Sequence, residues 1–141
     1  GAEPLADVLT VQCDILLPCA LESVITRQNV DQIKAKLIVE GANGPTDPEA
    51  DRILYSRGVF VVPDVLANAG GVIVSYFEWV QNREGFYWGL KQVNDLLYEK
   101  LEASYARVAD MAKKSKASMR QAAYCLALEK ITNGMTLRGV Q

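Results

Sequence analysis

Three short apolar runs constrain this chain more than any other feature: Cys13–Pro18 (CDILLP), Leu37–Glu40 (LIVE) and Val59–Val62 (VFVV). None alternates apolar with polar residues. A strand that is apolar on both sides must be covered on both faces, which is the condition of a parallel sheet with helices packed above and below. Helical or turn-forming segments separate the runs, so the order reads strand, helix, strand, helix, strand, helix. That order predicts right-handed crossovers and a doubly wound α/β architecture. Only three strands are present, however, and a parallel sheet this small is unusual as a complete domain.

The connecting segments carry local signals of their own. Leu5–Leu9 reads as a short helix or turn, and Asn29–Ala35 as a short helix with Asn29 or Asp31 able to cap it. Thr46 or Asp47 can cap the next helix, with Pro48 at its first position, Glu49 in its first turn and Gly58 as its stop. Its apolar face is Ala50, Ile53 and Leu54.

The final third differs. Val93, Leu96, Leu97, Leu101, Val108 and Met111 recur at helical spacing and predict one long amphipathic helix from about Lys91 to Lys116. Ser118 can cap a second helix, whose stripe of Met119, Ala122, Ala123, Leu126, Ala127, Ile131 and Met135 reads as core packing. The chain is thus read as a strand–helix core over residues 1–90 followed by a helical tail over 91–141.

Composition excludes several function classes. With 141 residues there is room for one core. The net charge is −2 and no basic stripe is present, which argues against a nucleic-acid partner. No apolar run reaches the ~20 residues that cross a bilayer, so no membrane partner is expected and a cytoplasmic location is the default. Three cysteines, Cys13, Cys19 and Cys125, without a CxxC pair, suggest neither a zinc site nor a disulfide framework. They read as small apolar fillers. There is no histidine, so the commonest general base and metal ligand is missing, and no metal site is expected.

The candidate chemistry lies in the turns. Pro18–Glu22, Glu40–Gly44 and Pro63–Gly71 each follow a strand, and in a parallel sheet all three fall at one edge, where α/β folds bind ligands. Asn43 and Asn68 each offer an amide with two donors and an acceptor, able to match a carboxamide or a ribose hydroxyl. The local alternative is that these residues only make tight turns. Beyond Asn68, Val59–Trp79 runs on through VIVSYFEW. If a helix opens at Asn68 or Gly70, Ser75 lies one to two turns in, on a face shared with Gly71 and Val72. The Ser75 hydroxyl can donate to a substrate carboxylate or bond back to a helix carbonyl. Glu78 reads as polar exposure and Trp79 as an aromatic anchor. There is no GxGxxG, no P-loop, no GxSxG and no HExxH.

Long ordered stretches of the chain, CDILLPCALESVIT, KAKLIVEGANGPTDPEAD, RGVFVVPDVLANAGGVIVSYFEWVQN and MRQAAYCLALEKI, resemble the C-terminal part of the nucleotide-binding domain of hexameric-type glutamate dehydrogenases, within the Glu/Leu/Phe/Val dehydrogenase family. The resemblance implies a Rossmann-like domain. It implies reversible oxidative deamination of glutamate to 2-oxoglutarate and ammonia, with NAD or NADP taking the hydride, in a homo-hexamer. Cys19 and Ala20 are then expected to line the dinucleotide site, where the family usually has Ala-Ala. Asn43 is expected at the nicotinamide ribose and Asn68 near the nicotinamide. Ser75 is expected to bind the substrate side-chain carboxylate, with Val72 lining its pocket. The family's catalytic Lys and Asp belong to a substrate domain with no counterpart here, so no catalytic residue is assigned to this chain. Its glycine-rich phosphate turn is likewise without counterpart.

These features lead to a fragment of an NAD(P)-dependent glutamate dehydrogenase, inactive alone and self-associating through an open sheet edge and a bare apolar face. A non-catalytic nucleotide-binding module is the alternative, and an oligomerising role for the helical tail is a third reading.

Overall fold

The computed structural model describes residues 8–139, so the helix or turn expected over Leu5–Leu9 lies largely outside the described residues. The chain divides into two compact units, residues 1–68 and 69–141. The division falls ahead of the 90/91 line drawn from the sequence, because the helix after Asn68 packs on the long helix that follows it.

The first unit holds the sheet. Its strands are β1 (Ile15–Leu16), β2 (Leu37–Val39) and β3 (Phe60–Val62), all parallel, in the order β1-β2-β3. Register aligns Ile15 with Leu37 and Phe60, and Leu16 with Ile38 and Val61. Successive side chains in a strand point to opposite faces, so these two rows lie on opposite sides of the sheet. Leu16 and Ile38 are buried and Val61 packs against the core, which also contains Ile25, Val30, Ile33, Ala50 and Leu54. The other row stays apolar but open: Ile15 is 53% exposed and Phe60 44%. The runs are apolar on both sides, as the sequence showed, and on the second side Leu37 is half-buried between the exposed Ile15 and Phe60.

Helix α1 (Pro48–Ser56) begins as expected, with Asp47 at its N-cap position and Pro48 first. The Asp47 side chain makes no capping bond; its carbonyl instead accepts from Asp51 N–H. At the far end Gly58 takes φ +74°, Gly58 N–H donates to Tyr55 O and Val59 N–H to Leu54 O, a Schellman closure that turns the chain straight into β3. The expected helix over Asn29–Ala35 is only a 3₁₀ turn, Val30–Gln32. Asn29 is the reason. Its side chain reaches backwards, accepting from Thr26 N–H at 2.8 Å and donating to Val24 O at 2.7 Å, and so closes a local turn instead of starting a helix. Arg57 then ties the turn to α1 by donating to the carbonyls of Val30 and Ile33. A short helix, α2 (Asp64–Ala67), follows β3 and ends this unit at Asn68.

The second unit is helical: α3 (Gly70–Glu84), α4 (Leu90–Ser115) and α5 (Met119–Leu137). α3 packs on α4, and α4 on α5. The long helix ends one residue inside the expected limit, with Lys116 in the left-handed region. Ser118 caps α5 through a full capping box: its Oγ accepts from Gln121 N–H at 3.2 Å, and Gln121 Oε1 accepts from Ser118 N–H at 3.1 Å. Of the expected α5 stripe, Met119 and Ala122 are buried, whereas Ile131 and Met135 are 57% and 42% exposed, so the core-packing reading holds only for its first turns. The aromatic anchor is also displaced from the expected position. Phe77 is buried against Trp88, their ring centroids 5.6 Å apart, while Trp79 is 58% exposed, stacked on Tyr76 with the Arg83 guanidinium 5.7 Å from its ring centroid. The cysteines depart from the filler reading too: Cys13 packs partly buried on the core, but Cys19 and Cys125 are exposed, and all three thiols are free.

Candidate functional site

Because the three strands are parallel, the turns after them gather at one carboxyl edge of the sheet, as the order of the runs required. The first turn carries Cys19 and Ala20, both exposed. It lies against the second, with Ala42 N–H donating to Pro18 O at 2.9 Å. The Cys19 thiol lies over Gly41: a Cβ at Gly41 would sit 2.6 Å from Cys19 Sγ, closer than real contacts allow, so a side chain there would have to displace the thiol.

The second and third turns are joined by their asparagines. Asn68, the last residue of the first unit, donates Nδ2 to Asn43 Oδ1 at 2.7 Å, with longer contacts of 3.4 Å to the carbonyls of Gly41 and Ala42. Three acceptors around one nitrogen fix the orientation of the Asn68 amide, since a reversed amide would set oxygen against oxygen. Asn43 is fixed in the same way by the donor it receives. The pair leaves an acceptor, Asn68 Oδ1, and a donor, Asn43 Nδ2, neither of which is engaged by a described residue. Such atoms can match a carboxamide or a ribose hydroxyl.

Below this pair lies a group that the sequence reading passed over. Glu40 follows β2 and is fully buried, and its backbone N–H continues the ladder to Val62 O at 3.1 Å. Its Oε2 accepts from Asp64 N–H at 2.8 Å. Asp64 in turn accepts from Gly44 N–H at 2.8 Å through Oδ2. A buried acid closing an apolar run, together with an acid just after the Pro63 that ends the next run, was the signal available for it.

In the second unit, Val72 and Ser75 lie in the first two turns of α3, both exposed. Ser75 makes no hydrogen bond to a described residue, so its hydroxyl does not bond back to its helix. Ser56 and Ser115, by contrast, do donate to carbonyls of their own helices. Among the described residues no group of three or more His, Cys, Asp or Glu is arranged to hold a metal ion, and no helix is long and apolar enough to cross a membrane.

A parallel three-stranded sheet, with a helical crossover between β2 and β3 and polar amides at its carboxyl edge, defines a Rossmann-like α/β chain. The chain belongs to the glutamate/leucine/phenylalanine/valine dehydrogenase family, whose profile matches residues 2–139. It is 49% identical over 133 residues to the NAD-specific glutamate dehydrogenase of Staphylococcus aureus (strain COL), covering 94% of this chain and 32% of that protein. It is 48% identical over 136 residues to the NADP-specific glutamate dehydrogenase of Synechocystis sp., covering 96% of this chain and 32% of that protein. Among solved structures, glutamate dehydrogenase from Peptoniphilus asaccharolyticus matches with a TM-score of 0.83 at 43% identity, over 87% of this chain and 31% of that one. The hetero-hexameric glutamate dehydrogenase from Thermus thermophilus matches with a TM-score of 0.91 at 32% identity, over 96% of this chain and 33% of that one. The chain thus spans about a third of the length of the curated relatives it matches.

Proposed function

We propose that this chain is the C-terminal portion of the nucleotide-binding domain of a cytoplasmic, homo-hexameric NAD- or NADP-dependent glutamate dehydrogenase. The observation that carries the reading is the Asn43–Asn68 pair at the carboxyl edge of the sheet. The Asn68 acceptor it leaves suits the carboxamide N–H of a nicotinamide and the Asn43 donor a ribose hydroxyl, so the residues present fit that end of the cofactor. In this reading Cys19 and Ala20 line the dinucleotide, Asn43 faces the nicotinamide ribose region and Asn68 holds the nicotinamide end. When bound, the dinucleotide supplies the acceptor for hydride leaving the amino acid. In the second unit, the Ser75 hydroxyl donates to the side-chain carboxylate of glutamate, with Val72 beside it as apolar lining. Proton transfer is assigned to no residue of this chain.

The reading is tested in the protein encoded by the complete reading frame that contains this chain. Glutamate-dependent reduction of NAD or NADP, with leucine, phenylalanine and valine poor substrates, is the expected result. Preference for an apolar amino acid would overturn the role of Ser75, and no amino-acid oxidation at all would overturn the activity. The isolated 141 residues are expected to show no turnover. The exposed Ile15 and Phe60 support self-association of the isolated chain, which sedimentation would reveal as a concentration-dependent dimer.

A further inference from the structure

We infer that Glu40 and Asp64 are positioning residues that aim the Asn43–Asn68 pair, an inference that rests on the cofactor reading above for its role in catalysis but not for its geometry. The two carboxylates form a relay between the second and third turns. Pro63 occupies the N-cap position of α2 and has no side-chain oxygen with which to cap it. Glu40, arriving from β2 and wholly buried, supplies that oxygen and receives Asp64 N–H at 2.8 Å. This bond fixes where α2 begins. Asp64 then uses one oxygen on Val65 N–H and the other on Gly44 N–H, each at 2.8 Å.

Gly44 sits at φ +55°, in the left-handed region that favours glycine, and follows Asn43 directly. Holding its N–H therefore sets the peptide plane from which Asn43 projects. Asn68 closes α2 as its C-cap residue, so the helix that Glu40 starts is the one that ends at the other amide. One relay controls both members of the pair: Asn43 through the Asp64–Gly44 bond, and Asn68 through the placement of α2. Hydrogen bonds to a carboxylate are shorter and stronger than neutral ones, and a buried carboxylate is costly unless its bonds are made. Both effects favour a stiff arrangement. A loop that moved freely would leave the Asn43 acceptor and the Asn68 donor out of register and would blur the face offered to a carboxamide.

The test has two arms. In the 141-residue chain, nuclear Overhauser contacts between the Asn43 and Asn68 side-chain amides, and slow exchange of Gly44 N–H, are read by NMR. Wild type is expected to show both, and Asp64→Ala to lose both. Asp64→Asn, which keeps an oxygen for Gly44 N–H, and Glu40→Gln, which keeps one for Asp64 N–H, are expected to retain them. Persistence of the contact in Asp64→Ala would overturn the inference. So would a wild-type Gly44 N–H exchanging as fast as in an unstructured peptide, a result that needs no variant to fold.

In the protein from the complete reading frame, Asp64→Ala is expected to lower kcat/KM for the dinucleotide about tenfold, the loss of roughly one hydrogen bond's worth of aim. KM for glutamate should stay within about twofold, and Asp64→Asn should restore most of the loss. Equal damage to both substrates would show a structural role only. A complete-frame protein with no glutamate activity would sink the cofactor reading, while the NMR arm would still decide the relay.

Discussion

Asn68 donates to Asn43 across two different turns, 25 residues apart in sequence and 2.7 Å apart in space. The bond uses one donor and one acceptor of the pair, and no described residue engages Asn43 Nδ2 or Asn68 Oδ1. Two amides that are individually ordinary turn residues thereby hold each other in place at the sheet edge.

The packing of Cys19 on Gly41 gives a second relationship that can be measured. Gly41→Ala forces a Cβ to 2.6 Å from Cys19 Sγ, so the thiol must swing away or the turns must part. Because Cys19 is exposed and its thiol can rotate, a cost of about 0.5–1.5 kcal/mol is expected. In a Cys19→Ala background the clashing sulfur is gone, and the remaining Cβ lies 3.5 Å away, an ordinary contact. The same Gly41→Ala change should then be close to neutral. A double-mutant cycle by urea denaturation is expected to show coupling of about 0.5 kcal/mol or more, and additive effects would count against the close approach.

The core of the first unit makes a separate demand. Leu54 on α1 is completely buried in the cluster beneath the sheet. Leu54→Ala is expected to cost about 2–5 kcal/mol by leaving a cavity, read as a lowered urea midpoint. Truncating Phe60, which is 44% exposed, should cost much less in the isolated chain.

In the second unit, Ser118→Ala removes the Oγ that accepts from Gln121 N–H. A loss of about 1 kcal/mol is expected, with fraying of the first turn of α5 visible in amide exchange. Ser118→Asp, which restores an acceptor at the cap, should recover most of it. Unchanged exchange in the alanine variant would show that packing alone holds that turn.

Ser75 offers the test of substrate choice. Its hydroxyl is exposed and not tied to its own helix. In the complete-frame protein, Ser75→Ala is expected to raise KM for glutamate roughly tenfold, the loss of a hydrogen bond to a charged group. Ser75→Leu should turn preference towards apolar amino acids. An unchanged glutamate KM in the alanine variant would remove Ser75 from the site.

Much of this was legible because the strands are written in a strong code. LIVE and VFVV admit no alternation, and that alone led to a parallel sheet and to turns sharing an edge. The start of α1 was equally plain, since Pro48 can begin a helix but not continue one. What the sequence hid depended on side chains that reach against the chain direction or across the fold. Asn29 looked like a helix cap and instead bonds backwards to Val24 and Thr26. Trp79 and Phe77 lie two positions apart, and helical spacing puts such neighbours on different faces; size favoured the tryptophan, packing chose the phenylalanine. Glu40 drew no separate notice in the LIVE run and the turn after it, because its partner N–H belongs to a residue 24 positions later.

The role of the Asn43–Asn68 pair in holding the nicotinamide end is tested most directly by steady-state kinetics of the complete-frame protein carrying Asn68→Ala. Wild type is expected to oxidise glutamate with a kcat on the order of 10 s⁻¹, typical of enzymes. The variant is expected to lose about tenfold or more in kcat/KM for the dinucleotide, because both the Asn68 acceptor and the bond that orients Asn43 are gone. A variant with wild-type kcat/KM for the dinucleotide would contradict it.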